Sequence, residues 1–159
     1  MKRIEINLGT QALTLFQGAD IERVYPVSTA RNGPGEQLGS GCTPRGRHIV
    51  RAMIGYDMPV NTVFVGRRPT GDVYNAMLRE KHPNRDWILT RILWLSGCEI
   101  GFNRLNGVDS MRRYIYIHGS PDEAKMGQPC SHGCIRMHNL NVVDLFNRVQ
   151  PGTPVLILE

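Results

Sequence analysis

The side chains best suited to chemistry are concentrated in one part of the 159-residue sequence. Three of the five histidines and two of the four cysteines lie between positions 118 and 138. The densest run is Cys130-Ser131-His132-Gly133-Cys134, and it follows His118 along the chain. A cysteine reacts as its thiolate, and a neighbouring imidazole or positive charge lowers its ordinary pKa of about 8.5. This run therefore predicts a nucleophilic cysteine with a histidine as its base.

Within this set, Cys134 is the candidate nucleophile and His118 the candidate base. Gly133 has no side chain where a substrate carbonyl would approach Cys134, and a turn there can aim backbone N–H groups at a developing oxyanion. His118 ends a predicted strand just before Gly119, which would place its ring at the sheet edge, facing that turn. Spacing along the chain does not by itself establish contact between the two side chains.

Two other interpretations of the cluster stay open at this point. One is a zinc site, since four side chains are competent ligands: Cys130, His132, Cys134 and His138. Structural zinc sites usually join two separated ligand pairs, whereas here a single nine-residue turn would have to surround the ion. The other is a purely structural role, which we adopt for Cys42 and Cys98 as small buried side chains.

Composition limits the classes of protein that remain. Gly (17) and Pro (10) are frequent and hydrophobic residues make up 41%, which disfavours a helix bundle or a disordered tail. No stretch approaches the roughly 18 consecutive apolar residues of a membrane-spanning helix. Four cysteines are too few for a disulfide scaffold, so we expect free thiols. The net charge of +5 comes from scattered basic residues, which argues against a nucleic-acid partner.

Hydrophobic periodicity predicts many short strands and two short helices. The first helix is expected over Asp72–Lys81, capped by Asp72 and stopped by Pro83. The second is expected to be capped by Asn139 or Asn141 and to end at Pro151. Strands are predicted over 4–8, 13–15, 21–27, 48–55, 62–65, 87–95, 113–118 and 155–158, with a long loop at 31–47. The expected fold is one mainly β domain over residues 1–159, a sandwich or barrel.

The motif His118-Gly119 followed by Ser131-His132-Gly133-Cys134 resembles that of the L,D-transpeptidase catalytic domain, also called the YkuD domain. The similarity extends to the opening hairpin over 10–16, to the loop at 43–46 and to the ending at 152–155. It implies that Cys134 is the nucleophile, that His118 is its base, and that the Gly119 carbonyl orients the imidazole as the third member of a triad does.

The resemblance also implies roles for the neighbouring residues. Backbone N–H groups of Gly133 and Cys134 would form the oxyanion hole, and Ser131 and His132 would shape the substrate pocket. Arg136 would pair with a substrate carboxylate through its planar guanidinium. Many members carry a small residue where this chain has a cysteine at position 130, which we expect to pack rather than form a disulfide with Cys134. No cofactor and no metal are expected.

The implied activity is that of a cysteine enzyme opening the bond between the diamino acid and the terminal D-Ala of peptidoglycan stem tetrapeptides. Release of the acyl-enzyme by water would make it an L,D-carboxypeptidase, and release by an amine an L,D-transpeptidase. We expect the former, acting on recycled wall fragments in the cytoplasm, because Glu5 and Asn7 interrupt any apolar signal region after Met1. A trimmed leader would instead suit a periplasmic transpeptidase, and a non-catalytic wall-fragment binder is the remote alternative. The sequence defines no oligomeric state.

Overall fold

The computed structural model describes residues 1–159 and is built mostly of strands, which confirms the predicted fold class. Ten strands belong to one sheet, in which β3, β2, β1, β10, β4 and β7 are consecutive neighbours. The elements are β1 (Lys2–Asn7), β2 (Ala12–Gln17), β3 (Asp20–Pro26), β4 (Gly46–Ile54), β5 (Thr62–Val65), β6 (Arg68–Val73), α1 (Ala76–Lys81), β7 (Ile88–Gly97), β8 (Tyr116–Ser120), β9 (Ile135–His138), α2 (Asn139–Arg148) and β10 (Pro154–Leu158). No helix is long and apolar enough to cross a membrane.

The opening hairpin shows how the alternating pattern builds the main core. Ile4 and Ile6 are fully buried and lie opposite Leu15 and Leu13 across the antiparallel β1–β2 pair. On its other edge β1 runs parallel to β10, where Ile6 lies opposite Ile157. Since side chains alternate between the faces of a strand, each second residue joins one apolar layer. The first residues of the chain are thus a core strand of the domain.

Strand β7 is the centre of the sheet and carries β8 along one edge. Its other edge is shared by β4, which pairs from Ile92 onward, and by β5, which pairs at Leu89. Buried backbone polar groups are nearly always paired, and strands on both edges pair the backbone of β7 along most of its length. Leu93 faces the main core, while Ile92 faces a smaller cluster containing Tyr116. This second cluster lies beneath the candidate site.

The sheet curls until its two ends meet. Strand β9 runs parallel to β8. Its other edge pairs with the segment that follows β3, at Ser28. There Ser28 and Arg136 exchange both backbone hydrogen bonds, of 2.8 and 3.0 Å. Because β3 is the opposite end of the strand order, this bridge closes the sheet into a barrel-like form.

The first helix begins later than the sequence predicted. Helix α1 starts at Ala76, and the Asn75 side chain, not Asp72, accepts the Leu78 N–H at 2.9 Å. The residues before it form β6, a fully exposed strand that pairs with β5 and that the sequence analysis missed. An exposed strand has no apolar alternation, so its pattern carried no strand signal.

The second helix has its predicted apolar face but not its predicted cap. Val142 and Phe146 are buried, as expected, together with Leu145. The N-cap residue is His138, without a side-chain cap hydrogen bond, and Asn139 is the first helical residue. Its amide is committed instead to a buried contact with Thr90.

The strands that carry the motif also differ from expectation. Strand β8 was predicted over 113–118 but spans Tyr116–Ser120, because Tyr114 adopts a left-handed φ of 57° that ends the preceding turn. Strand β9 was not predicted. It directly follows Cys134, so the motif lies at a strand start rather than in a free loop.

Helix α2 offers a matched test of the core. Replacing the fully buried Leu145 with Ala should lower the free energy of unfolding by about 2–5 kcal/mol, since a cavity forms among packed side chains. Leu140→Ala on the same helix, where the side chain is 74% exposed, should cost less than about 0.5 kcal/mol. Urea denaturation measures both, and equal losses would show that α2 is not packed as described.

Candidate active site

The β8–β9 ladder places the candidate residues on one face of the sheet. Its register puts His118 opposite Arg136, and the Tyr116 N–H donates to Cys134 Sγ at 3.3 Å. Because strand side chains alternate between faces, Tyr116, His118, Cys134 and Arg136 all point the same way. The intervening side chains enter the main core on the other face: Ile117, Ile135 and Met137. The parallel pairing of β8 and β9 thus places His118 and Cys134, which are separated in the sequence, on one face of the sheet.

His118 is fully buried within β8, not at a strand end as the sequence predicted. Its Nδ1 lies 2.6 Å from the Gly119 carbonyl oxygen, which can only accept, so Nδ1 carries the proton. The other nitrogen, Nε2, is buried and has no hydrogen-bond partner in the chain. Burial lowers the pKa of His118 below its usual 6.5, and the nearby Asp86 carboxylate opposes that shift. The imidazole is therefore neutral at pH 7 with an available lone pair on Nε2.

Gly119 has no room for a side chain. A Cβ there would overlap the Asn139 side-chain oxygen and lie 2.6 Å from the Leu89 carbonyl oxygen. Asn139 is itself fixed, since its amide oxygen accepts from the Thr90 hydroxyl at 2.6 Å and its amide nitrogen donates to Asn61 at 2.8 Å. This packing holds the peptide whose carbonyl contacts His118.

The thiol of Cys134 is held by the backbone on both sides. It accepts from the Tyr116 N–H and donates to the Tyr114 carbonyl oxygen at 3.2 Å, so it is not hydrogen-bonded to His118. Burial raises the pKa of Cys134 to about 12, opposed by the Tyr116 N–H and by the charges of Arg136 and Arg113. This direction is opposite to the lowered pKa predicted from a neighbouring imidazole and positive charge. The resting site instead holds a neutral thiol and a neutral imidazole on the same sheet face.

The backbone at position 133 favours glycine. Its φ of +135° lies in the region that L side chains rarely adopt, and a Cβ would lie 3.2 Å from the Cys42 carbonyl oxygen. The Thr43 hydroxyl donates to the Gly133 carbonyl at 2.9 Å. The loop over residues 31–45 therefore supports the turn at Gly133 through Cys42 and Thr43.

The predicted oxyanion hole is only partly free. The Gly133 N–H already donates to the Ser131 hydroxyl oxygen at 3.2 Å, while the Cys134 N–H has no partner in the chain. Ser131 is buried and donates to the Cys134 carbonyl at 2.6 Å. It shapes the turn rather than facing a pocket.

Arg136, which the sequence predicted to pair with a substrate carboxylate, pairs with a carboxylate of the chain itself. Its guanidinium pairs with Asp86 at 2.7 Å, and its side chain is only 17% exposed. The other Asp86 oxygen lies 3.2 Å from His132 Nδ1, and His132 is 70% exposed. Sequence reasoning missed Asp86, because a single carboxylate before a strand gives no pattern that connects it to the motif.

An open cavity of about 500 Å³ lies over Cys134. Its walls come from the β5–β6 hairpin, from β8 and from the turn before β9, and the lining residues are Gly66, Arg67, Asp86, Ile88, Tyr114, Tyr116, His132 and Cys134. His132, which was predicted to shape a substrate pocket, is among these lining residues. All four cysteines are free thiols, and no three His, Cys, Asp or Glu side chains converge as metal ligands. The arrangement supports acyl transfer to a thiol with proton removal by Nε2.

The raised pKa of Cys134 gives a testable signature. A thiol near pKa 12 holds little thiolate at neutral pH, and that amount grows about tenfold per pH unit up to the pKa. Alkylation of Cys134 by iodoacetamide, followed by peptide mass spectrometry, should therefore rise steadily from pH 7 to pH 10. Fast alkylation at pH 7, or a plateau near pH 8.5, would contradict the neutral pair.

The chain is similar to known proteins in sequence and in fold. The model of the YkuD family, the L,D-transpeptidase catalytic domain, matches residues 1–157. YkuD of Bacillus subtilis (strain 168), named as a candidate L,D-transpeptidase, is 31% identical over 107 residues, covering 67% of this chain and 54% of that protein. YqjB of the same organism, named likewise, is 47% identical over 60 residues, or 38% of this chain and 32% of that protein. The chain thus spans about a third to a half of the length of these two relatives.

Solved structures share the fold at low sequence identity. L,D-transpeptidase 3 from Mycobacterium tuberculosis superposes with a TM-score of 0.62 at 17% identity, covering 99% of this chain and 61% of that one. The LD transpeptidase LdtMt1, solved in complex with imipenem, gives a TM-score of 0.57 at 16% identity, covering 99% and 58%. The family match over nearly the whole sequence, on a chain whose fold agrees, shows that this protein belongs to the L,D-transpeptidase catalytic domain family.

Proposed function

We propose that this protein cleaves the bond between the diamino acid and the terminal D-Ala of peptidoglycan stem tetrapeptides through an acyl-enzyme on Cys134. One observation carries the proposal: the buried His118 presents an unpartnered Nε2 on the sheet face that also carries the thiol. A buried polar atom without a partner is rare and needs a reason. A base that receives a proton only during reaction supplies one.

The reaction follows from the neutral resting pair. Rotation about the Cα–Cβ bond turns the Cys134 thiol from the Tyr114 carbonyl toward His118. As sulfur attacks the scissile carbonyl, its proton passes to Nε2, and the oxyanion accepts from the free Cys134 N–H. The imidazolium then protonates the leaving amine, so D-Ala departs and a thioester remains. Asp86 and the Gly119 carbonyl stabilise the positive charge that His118 carries between these steps.

The thioester can be released by two acceptors. Water, activated by Nε2, gives a tripeptide and regenerates the thiol, and this L,D-carboxypeptidase activity is our first proposal. The amine of a second stem peptide gives a cross-link, and the names of the curated relatives favour this L,D-transpeptidase activity as the second candidate. Both use Cys134 and His118 in the same way.

The proposed place of action is the cytoplasm, where recycled wall fragments would be the substrate. The support for this proposal is the predicted interruption of an apolar signal region by Glu5 and Asn7. Fractionation of the host against a periplasmic marker tests this: the protein is expected with cytoplasmic markers, and recovery with the periplasmic marker would favour the transpeptidase.

Product analysis with a tetrapeptide muropeptide tests both the reaction and the acceptor. The wild-type protein should release D-Ala and tripeptide. Cys134→Ser should lose activity by at least about a hundredfold, since a hydroxyl is a weaker acid and a weaker nucleophile than a thiol. Ser131→Ala, the control next to His132, should retain a measurable rate of D-Ala release, because the Ser131 side chain only supports the turn before Cys134. Cross-linked dimers would contradict the proposed carboxypeptidase activity. Full activity in Cys134→Ser would contradict an acyl-enzyme on Cys134.

A β-lactam of the carbapenem class should acylate the same sulfur. Imipenem, which opens to a thioester, is expected to add its own mass to the intact protein at neutral pH. Cys134→Ala should abolish the adduct, while Cys130→Ala should keep it, because Cys130 lies outside the cavity lining. An adduct that follows Cys130 instead would contradict the assignment of the nucleophile.

A further inference from the structure

The cations near Cys134 are not equally available to a ligand. Arg136 is committed to Asp86, and His132 shares the same carboxylate. Arg113 donates to the Cys42 carbonyl oxygen at 2.7 Å and does not line the cavity. Arg67 is the arginine that lines the cavity, and it has no carboxylate partner. A site for anionic substrate groups would therefore have to use Arg67.

Arg67 sits at the tip of the β5–β6 hairpin and is held in a fixed orientation. Gly66 and Arg67 both have left-handed φ angles, of 57° and 65°, as in the tight turns that join hairpin strands. The guanidinium lies 4.7 Å from the Trp94 ring centroid and 4.9 Å from that of Tyr114. Stacking on two aromatic rings reduces the freedom that an arginine would lose on binding.

The guanidinium keeps most of its donors free. Arginine has five N–H donors in a planar fork, and here Nη1 donates to the Tyr116 hydroxyl at 3.1 Å. The remaining donors include a pair suited to bidentate binding of a carboxylate. Arg67 is thus fixed in place yet unsatisfied.

Two tyrosines connect this guanidinium directly to the nucleophile. Tyr116 contacts Arg67 through its hydroxyl and Cys134 through its backbone N–H. Tyr114 stacks its ring on Arg67 and accepts from the Cys134 thiol through its carbonyl. The guanidinium and the sulfur therefore contact the same two tyrosines and line the same cavity.

We propose that Arg67 binds a substrate carboxylate adjacent to the scissile bond and thereby selects the peptide that Cys134 attacks. This inference rests on the proposed function. Two carboxylates meet the requirement: the terminal carboxylate of D-Ala, and the side-chain carboxylate of the diamino acid when that residue is diaminopimelate. Both would form the same bidentate pair, and the test distinguishes them.

Binding in a Cys134→Ala background isolates this step from catalysis. The probes are the tetrapeptide ending in diaminopimelate-D-Ala and two mono-amides, one blocked at each carboxylate, titrated by calorimetry. Arg67→Gln should weaken binding of the free tetrapeptide at least about tenfold, as expected for loss of a charge-assisted pair. It should leave unchanged the Kd of the one amide that lacks the recognised carboxylate.

The matched control is Arg68→Gln, which removes the same charge from the next residue, an exposed side chain outside the cavity lining. It should bind like the parent. Arg67→Lys, which keeps the charge and loses the fork, should recover only part of the affinity. Equal Kd values for Arg67→Gln and Arg68→Gln, or equal losses for both amides, would overturn the inference.

Turnover by the protein with its native Cys134 separates this inference from the proposed function. D-Ala release by the wild-type protein together with parent-like binding by Arg67→Gln would leave the function standing and overturn the role of Arg67. The selective loss in binding without any D-Ala release would support Arg67 and contradict the function.

Discussion

The site depends on one buried hydrogen bond, from His118 Nδ1–H to the carbonyl oxygen of the next residue, Gly119, at 2.6 Å. It assigns the ring tautomer and so leaves Nε2 as the acceptor. The bond forms only because Gly119 has no side chain where β7 and Asn139 press against it. His118 and Gly119 therefore act together, and strands β7, β8 and β9 hold them in position.

A second constraint is the single carboxylate of Asp86. Burial by itself would raise the pKa of Asp86, yet the charge of His118 when that ring is protonated, and the charge and hydrogen bond of Arg136, hold that pKa below its usual value. The carboxylate stays ionised and holds the Arg136 side chain beside the turn over residues 130–134. It also favours the imidazolium that His118 becomes during reaction. Arg136 therefore helps to hold the site together through Asp86, while Arg67 lines the cavity.

Sequence periodicity identified the strands whose one face is buried, such as the hairpin built on Ile4 and Ile6, and it identified the apolar face of α2. It failed at β6, where every residue is exposed, and at β9, whose four residues are too few to show a period. Among the site residues, the motif located Cys134 and His118 because their types are rare and their spacing specific. Asp86 and Arg67 lay outside any motif, since only the fold brings the β5–β6 hairpin and the start of β7 beside the thiol.

The tautomer and charge of His118 test the central claim most directly. Nitrogen-15 NMR of the imidazole at pH 7, assigned with a His118→Gln variant, reports each ring nitrogen separately. We predict a neutral ring protonated at Nδ1, with Nε2 unprotonated and no titration near pH 6.5, because burial lowers the pKa. A ring protonated at Nε2, or an imidazolium at pH 7, would contradict this description of how the thiol loses its proton.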